Sequence, residues 1–440
     1  MFNVAPLPRL RLYTTRSLYR RLAGEIATGQ FRHGDADIGR FEQAVAAFIA
    51  GEELSSFQAV VMPMARVAIY HAVKDIVRPG AAVVMSPYTI ADVVNMVIAA
   101  GARPVFADVD AASGNLRVDE VARLIDDDTG AVLATHFYGC AADIVEIAKI
   151  CRERKVPLIE DAAQAFGCAV NGRKVGTFGD VGIFSFGMAK NVNAFYGGLA
   201  LTREPALAKR LRAALEDYPM ERPRTYLPRL VRGAITDIVT FPPFFKLISF
   251  WFFRWAFLQD VQAVNNQLRI DVDPTRSDTL PIDYQRRMSP AQARALLPQL
   301  RGVDAANRER IRKANLYFEG LKDVAEIVLP PFRQDGSHIY MCFCVQAPDR
   351  RALVRFMMQR GADIPEGHHR NCADLPCFEA FARECPVARK VAASVLYLPT
   401  YPRYDDAEIH RNVSLIRQFY GYRPVAASDA AKEQPRREAA

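Results

Sequence analysis

Eight cysteines stand among 440 residues, and no two are spaced as a CxxC pair. That spacing fits no zinc or other metal site, and the expected state is buried free thiols in a reducing compartment. The first 21 residues carry Arg9, Arg11, Arg16, Arg20 and Arg21 but no apolar stretch of the kind a secretory leader needs. A cytoplasmic protein is therefore expected. No segment gathers lysine and arginine with interleaved aromatics as a nucleic-acid groove requires, so nucleic acid is not an expected partner. Internal repeats are absent. Tryptophan occurs only twice, and both copies fall in one short aromatic segment.

Half of the residues are hydrophobic and 24% are charged, a globular balance that excludes a wholly disordered chain, a collagen-like one and a disulfide scaffold. The length leaves room for a large domain with a smaller companion. A net charge of +8 suits an anionic small substrate or an anionic membrane surface.

Apolar residues at three- and four-residue spacing predict helices over 17–28 and 39–49. From Gln58 the pattern changes. Short apolar runs alternate with amphipathic stretches: 59–62 then 66–76, 82–85 then 91–100, 104–106 then 118–125, 131–135 then 144–154, followed by runs at 157–159, 181–186 and 199–202. This alternation predicts βαβ units around a mostly parallel sheet, with ligands beyond the carboxyl ends of the strands. Helices are expected again over 288–300, 307–321, 350–360 and 406–419, with a strand over 338–346. The expected division is N-terminal helices over 1–50, a large α/β domain over 51–217, an aromatic insertion over 218–280, a small α/β domain over 281–424 and a disordered tail over 425–440.

Asp161 closes the apolar run in VPLIEDAAQ, and Lys190 follows the next run in GIFSFGMAKN. A carboxylate and a lysine at the ends of neighbouring parallel strands are the pair that pyridoxal phosphate requires. The amine condenses with the aldehyde, and the carboxylate keeps the pyridine nitrogen protonated. A lone lysine is usually solvent-exposed and a strand-end aspartate is often a helix cap, so from the residues alone both readings stay open.

Seven ordered stretches extend the pattern: GRFEQAVAAFIAG (39–51), GARPVFADVD (101–110), THFYGCAADI (135–144), PLIEDAAQAFG (157–167), GTFGDVGIFSFGMAKN (176–191), GGLALT (197–202) and LPTYPRYDDAEI (398–409). Together they resemble the DegT/DnrJ/StrS family of pyridoxal-phosphate sugar aminotransferases. That resemblance implies a fold type I α/β protein and, as cofactor, pyridoxal 5′-phosphate. It implies Lys190 as the catalytic lysine, Asp161 at the pyridine nitrogen, Gln164 at the ring hydroxyl and Ser185 at the phosphate. It implies a homodimer with shared sites acting on a keto sugar, nucleotide- or lipid-linked, with an amino acid such as glutamate as donor. The alternatives are a non-catalytic or regulatory relative and a sugar dehydratase. The retained Lys190 argues against the dehydratase, because dehydratase variants of the family carry histidine there.

Three positions depart from the family pattern. Met64, Ala65 and Arg66 replace the usual Ser-Gly-Thr at a helix start, where Ala65 and Arg66 are expected at the phosphate. Ile90 replaces the aromatic that stacks on the ring, so Ile90 or Tyr88 is expected on that face. Gln285 replaces the asparagine that reaches the partner subunit's phosphate. His136, Arg286 and His368 are candidate substrate contacts.

Residues 238–258 read IVTFPPFFKLISFWFFRWAFL, with Lys246 and Arg254 the only charges. Pro242 and Pro243 leave about 15 residues of helix, short of the roughly 20 a membrane span needs. Three readings stay open: a buried helical pair on the small domain or dimer interface, an element lying on a membrane surface, or a true span. In the second, Trp251 and Trp255 enter the lipid interface, and Arg222, Arg224, Arg229, Arg232, Lys246 and Arg254 meet anionic headgroups. The protein would then be peripheral on the inner face of the membrane, and its sugar lipid-linked or membrane-delivered.

Overall fold

The strand runs of the sequence assemble into one seven-stranded sheet. In the computed structural model, which describes residues 6–265 and 272–423, the strands are β1 (Gln58–Met62), β2 (Ala82–Met85), β3 (Arg103–Phe106), β4 (Thr129–Thr135), β5 (Leu158–Asp161), β6 (Val181–Ser185) and β7 (Gly198–Thr202). Their order is β1-β7-β6-β5-β4-β2-β3. Strand β7 runs antiparallel to both of its neighbours, and every other pairing in the sheet is parallel. The expected disordered tail, 425–440, lies outside the described residues.

These strands are apolar on both faces because both faces are covered. Val83, Leu133, Ile159 and Ile183 point to the side packed by helices Ala65–Ile76, Ala91–Ala99 and Pro205–Ala213. Their neighbours point the other way. Val84, Val132 and Leu158 meet helix Ile144–Arg154, and Phe184 meets helix Ala36–Ala50. Helix Ala65–Ile76 is central, and residues 67–73 are buried without a break. Such a helix owes its stability to packing more than to propensity, at about 1.5–3 kcal/mol for each fully buried large aliphatic side chain.

A second core lies toward the C-terminus. Strands β8 (Phe343–Gln346) and β9 (Val395–Leu398) pair antiparallel. Tyr317, Leu353, Met357, Ile409 and Val413, from helices Val303–Leu321, Arg350–Gln359 and Asp406–Phe419, pack with Phe343, Val345 and Leu396. The strand expected over 338–346 is shorter because Tyr340 takes a left-handed φ of 46°, which ends extended structure. Residues 281–302 also differ from the expected division. Met288, Ala293, Leu296, Leu300 and Val303 pack with Phe41 of the N-terminal helices and Phe186 of the large domain, so the second core takes up only from Ala314.

The aromatic insertion forms two helical arms. Pro223–Val239 is one helix, and Pro242–Leu258 continues after a bend of 62°. No single helix among the described residues is long and apolar enough to cross a membrane. Phe245 and Phe250 are buried against Met358, as the packed-pair expectation requires, while Leu247, Ile248, Trp251, Phe252 and Trp255 remain exposed.

Candidate active site

Strand geometry fixes which acid faces the site. Successive residues of β5 alternate in direction, so Asp161 shares a side with Ile159, and Glu160 points to the opposite face. Ser185 shares that side with Ile183 on the adjacent strand β6, where Asp161 is paired with Ile183. Helix Ala65–Ile76 covers this same side. Its first turn sits against β7 so closely that a Cβ at Gly198 would lie 2.3 Å from the Met64 carbonyl carbon and 2.4 Å from the Ala65 nitrogen. Glycine at 198 is what admits the helix N-terminus to the strand ends. Met64 supplies no side-chain cap, so the first N–H groups of the helix are left for another acceptor.

Lys190 lies in the turn after β6, its backbone N–H donating to the Gly187 carbonyl at 3.0 Å. Its amine is pushed down to about 8, first by burial, with Arg66 acting in the same direction and Asp161 opposing. Burial raises the Asp161 carboxyl, against the Ala163 N–H at 3.0 Å and the Lys190 and His136 charges. Lys190 and Asp161 thus act on one another across one small space. Ser185 Oγ accepts the Gly187 N–H at 3.4 Å, beside the same turn.

Gln164 is held by its neighbours. Its Oε1 accepts the Tyr138 N–H at 3.0 Å, and its Nε2 lies 3.5 Å from His369 Nε2. The loop carrying His368 and His369 is stitched to the large domain by antiparallel pairing of Arg370 with Thr89 and Asn371 with Tyr88. His369 Nδ1 lies 2.7 Å from the Tyr138 hydroxyl, which also meets the hydroxyls of Tyr88, at 2.9 Å, and Tyr397. His368 is half-buried, its backbone N–H donating to Tyr397 at 3.2 Å. Burial, then the Lys190 charge, push the His368 imidazole down to about 4, so it is neutral at physiological pH. A cavity of about 420 Å³ is lined by His368 and His369 and, on its far wall, by Phe253 and Phe257 of the insertion.

Three expected roles need correction or narrowing. His136 is fully buried on the other side of the sheet. Its Nε2 donates to Glu160 at 3.1 Å and its Nδ1 accepts the Ala142 N–H at 3.1 Å, so it cannot touch substrate. Glu160 is likewise scaffolding, accepting N–H groups of Gly176, Phe178 and Gly179 at 2.8, 2.6 and 2.7 Å. Tyr88 is wholly enclosed among Phe137, Tyr138 and His369, which leaves Ile90, partly exposed before helix Ala91–Ala99, as the side chain able to meet a ring. Arg66 already has an anion. Its guanidinium pairs with Asp92 and donates to the Tyr284 hydroxyl at 3.0 Å, and that hydroxyl donates to Asp92 at 2.8 Å.

Gln285 Nε2 donates to the Leu280 carbonyl at 3.0 Å within its own turn. Arg286, half-buried beside it, has no hydrogen-bond or ion-pair partner among the described residues. Sequence reasoning passed over Tyr138, Tyr397, Asp92 and Tyr284. Only Tyr138 lay in a marked motif, THFYG, and it takes a left-handed φ of 52° beside Gly139.

This donor set fits pyridoxal phosphate. It offers an amine depressed to about 8, able to lose its proton near physiological pH, a buried carboxylate whose charge acts on it, a hydroxyl and uncapped helix N–H groups for a phosphate, and an amide. Comparison with known proteins agrees. The model of the DegT/DnrJ/EryC1/StrS aminotransferase family matches residues 17–229 and 261–417. The dTDP-4-dehydro-2,3,6-trideoxy-D-glucose 4-aminotransferase of Saccharopolyspora spinosa is 30% identical over 334 residues, 75% of this chain and 76% of that protein. The GDP-perosamine synthase of Vibrio cholerae is 38% identical over 166 residues, 38% of this chain and 44% of that protein. Among solved structures, the aminotransferase TlmJ from Streptoalloteichus hindustanus superposes with a TM-score of 0.70 at 26% identity, covering 95% of this chain and 98% of that one. The fold is that of the fold type I sugar aminotransferases. The chain belongs to the DegT/DnrJ/EryC1/StrS family of pyridoxal-phosphate-dependent aminotransferases.

Proposed function

We propose that this chain moves an amino group from an amino acid such as glutamate to the carbonyl carbon of a keto sugar carried by a nucleotide or a lipid. Pyridoxal phosphate supplies, when bound, an aldehyde that accepts amines and a ring that stores an electron pair. The observation that carries the reading is the placement of Lys190, in the turn after β6, beside the strand that ends at Asp161, with burial pushing the lysine amine down to about 8. An amine in that range can both take and give a proton at physiological pH, which a lysine near 10.5 does poorly.

In this reading Lys190 holds the cofactor and then moves the proton at the carbon bearing nitrogen. Asp161 holds the pyridine nitrogen. Ser185 and the N–H groups of Ala65 and Arg66 hold the phosphate, with the Arg66 guanidinium contributing charge while Asp92 fixes its position. Gln164, held by Tyr138, holds the ring hydroxyl, and Ile90 covers one ring face. His368 and His369, neutral and packed on the tyrosine hydroxyls, form the wall on the substrate side. Two copies form the working unit, with Gln285 and Arg286 directed to the neighbour's site. Names of similar proteins support the sugar class: one acts on a dTDP-linked keto sugar and another makes GDP-perosamine.

The test is a panel of nucleotide-linked keto sugars incubated with the protein and ¹⁵N-glutamate. The reading expects ¹⁵N in a sugar amine. Labelled glutamate that converts bound cofactor to its amine form while no keto sugar takes up nitrogen would remove the sugar assignment.

A further inference from the structure

The insertion leaves more apolar surface in water than its packing explains. On helix Pro223–Val239 the exposed residues Leu227, Val231, Ile235 and Ile238 recur at spacings of four, four and three, one face of a helix. On the second arm Phe244, Ile248, Trp251 and Trp255 repeat the pattern, with Leu247 76% exposed beside them and Phe241 exposed at the bend. The opposite side of that arm is committed elsewhere: Phe245 and Phe250 pack on Met358, and Arg254 donates to the Met358 carbonyl at 3.1 Å. A contiguous exposed patch of this kind marks an interaction surface.

Charge identifies the partner. Residues 222–258 contain Arg222, Arg224, Arg229, Arg232, Lys246 and Arg254 against a single acid, Asp237. That acid is turned inward, accepting from Thr14 and from the Tyr19 hydroxyl at 2.7 Å. Arg229 is neutralised by buried Glu221. Arg222, Arg224 and Arg232 are exposed and have no carboxylate partner among the described residues. A two-fold contact of this face with itself would bring together two copies of a segment whose one acid, Asp237, is turned inward, leaving the exposed arginines unanswered within it. An anionic bilayer answers all three, and it accepts the two tryptophans at the depth where indole rings are favoured.

We propose that the bent pair Pro223–Val239 and Pro242–Leu258 docks the protein on the surface of an anionic phospholipid bilayer, apolar stripes in the headgroup–acyl boundary and arginines at the headgroups. The arms lie on the membrane, since no single helix among the described residues has the length to cross and the inner side of the second arm is held on Met358. Phe253 and Phe257, on the inner side of the same arm, line a cavity together with His368 and His369.

Trp251 and Trp255 are the only tryptophans of the chain, so intrinsic fluorescence reports the insertion alone. The experiment adds vesicles of phosphatidylcholine, or of phosphatidylcholine with phosphatidylglycerol, to the full-length protein, with flotation in parallel. The proposal expects a blue shift, quenching by brominated lipid and flotation with the anionic vesicles, all weakened by salt. Replacing Arg222, Arg224 and Arg232 by Gln should weaken partitioning roughly fivefold for each arginine removed. Leu247→Asp with Ile248→Asp, at exposed positions that leave the fold intact, should abolish flotation. Unchanged emission with anionic vesicles, or equal binding to neutral ones, overturns the proposal. So does an aspartate double variant that dissociates a dimer in sedimentation, which would assign the face to a second copy.

Discussion

Replacing Asp161 by asparagine separates the charge at this position from its shape. The amide oxygen of the new side chain can still accept the Ala163 N–H that Asp161 accepts at 3.0 Å, so the turn after β5 keeps its geometry. The charge that acts on Lys190, and that the proposed function sets at the cofactor nitrogen, is lost. A hydrogen-bonded pair of charges truncated at one partner costs about 2–5 kcal/mol, and Coulomb attraction at 4 Å in a medium of effective dielectric 20 gives about 4 kcal/mol. At about 1.36 kcal/mol per tenfold, kcat/KM should fall between roughly thirtyfold and several thousandfold. Stability of the cofactor-free protein should move the other way. Burial raises the Asp161 carboxyl, so in the folded chain its ionised form is the disfavoured one. That disfavour weakens the fold as pH rises above the ordinary carboxylate range, and asparagine removes it. Asp161→Asn should therefore melt at or above the parent temperature without cofactor at neutral pH, and gain less than the parent when pyridoxal phosphate is added. Calorimetric melts with and without cofactor, alongside steady-state rates, make the comparison. A variant with kcat/KM within about threefold of the parent and full thermal gain from cofactor would refute the assigned role.

Further expectations follow from the same packing. Gly198→Ala places a methyl against the Met64 carbonyl carbon and the Ala65 nitrogen, costs about 1–3 kcal/mol in overpacking, and should weaken cofactor affinity measured by equilibrium dialysis. Glu160→Ala strands the buried Gly176 N–H, the part-buried N–H groups of Phe178 and Gly179, and buried His136, and should lower unfolding free energy in urea by about 3–5 kcal/mol. His136→Gln should leave KM for substrate unchanged in steady-state assays while lowering the melting temperature. Because the Lys190 amine is depressed to about 8, cofactor uptake by protein stripped of it should rise tenfold per pH unit below that value and level off above it. Stopped-flow absorbance would show this, and continued growth toward pH 10 would contradict it.

The pattern of short apolar runs was enough to place the strands of the main sheet, because both faces are covered and each run ends at a turn. Alternation also explains why the facing of Asp161 could be read from the chain and that of His136 could not. Asp161 lies inside a strand, so its direction follows from period two, whereas His136 follows the last strand residue, Thr135, and its face depends on the path of the loop. Glu160, one residue before Asp161, is sent by that same alternation into the scaffold. The Arg66–Asp92 pair and the Tyr88–Tyr138–His369–Tyr397 cluster join segments distant in the chain, and no local pattern announces them. The exposed stripes of the insertion were hidden for a related reason. A segment apolar nearly all round shows its outward face only once Met358 defines the inward one.

The central claim concerns one bond-forming amine. The purified protein would be treated with borohydride in the presence of pyridoxal phosphate, digested and mapped by mass spectrometry. The phosphopyridoxyl group should reside on Lys190, with visible absorbance absent from Lys190→Ala. Protein left unmodified at Lys190, or carrying the group on another lysine alone, would contradict the account.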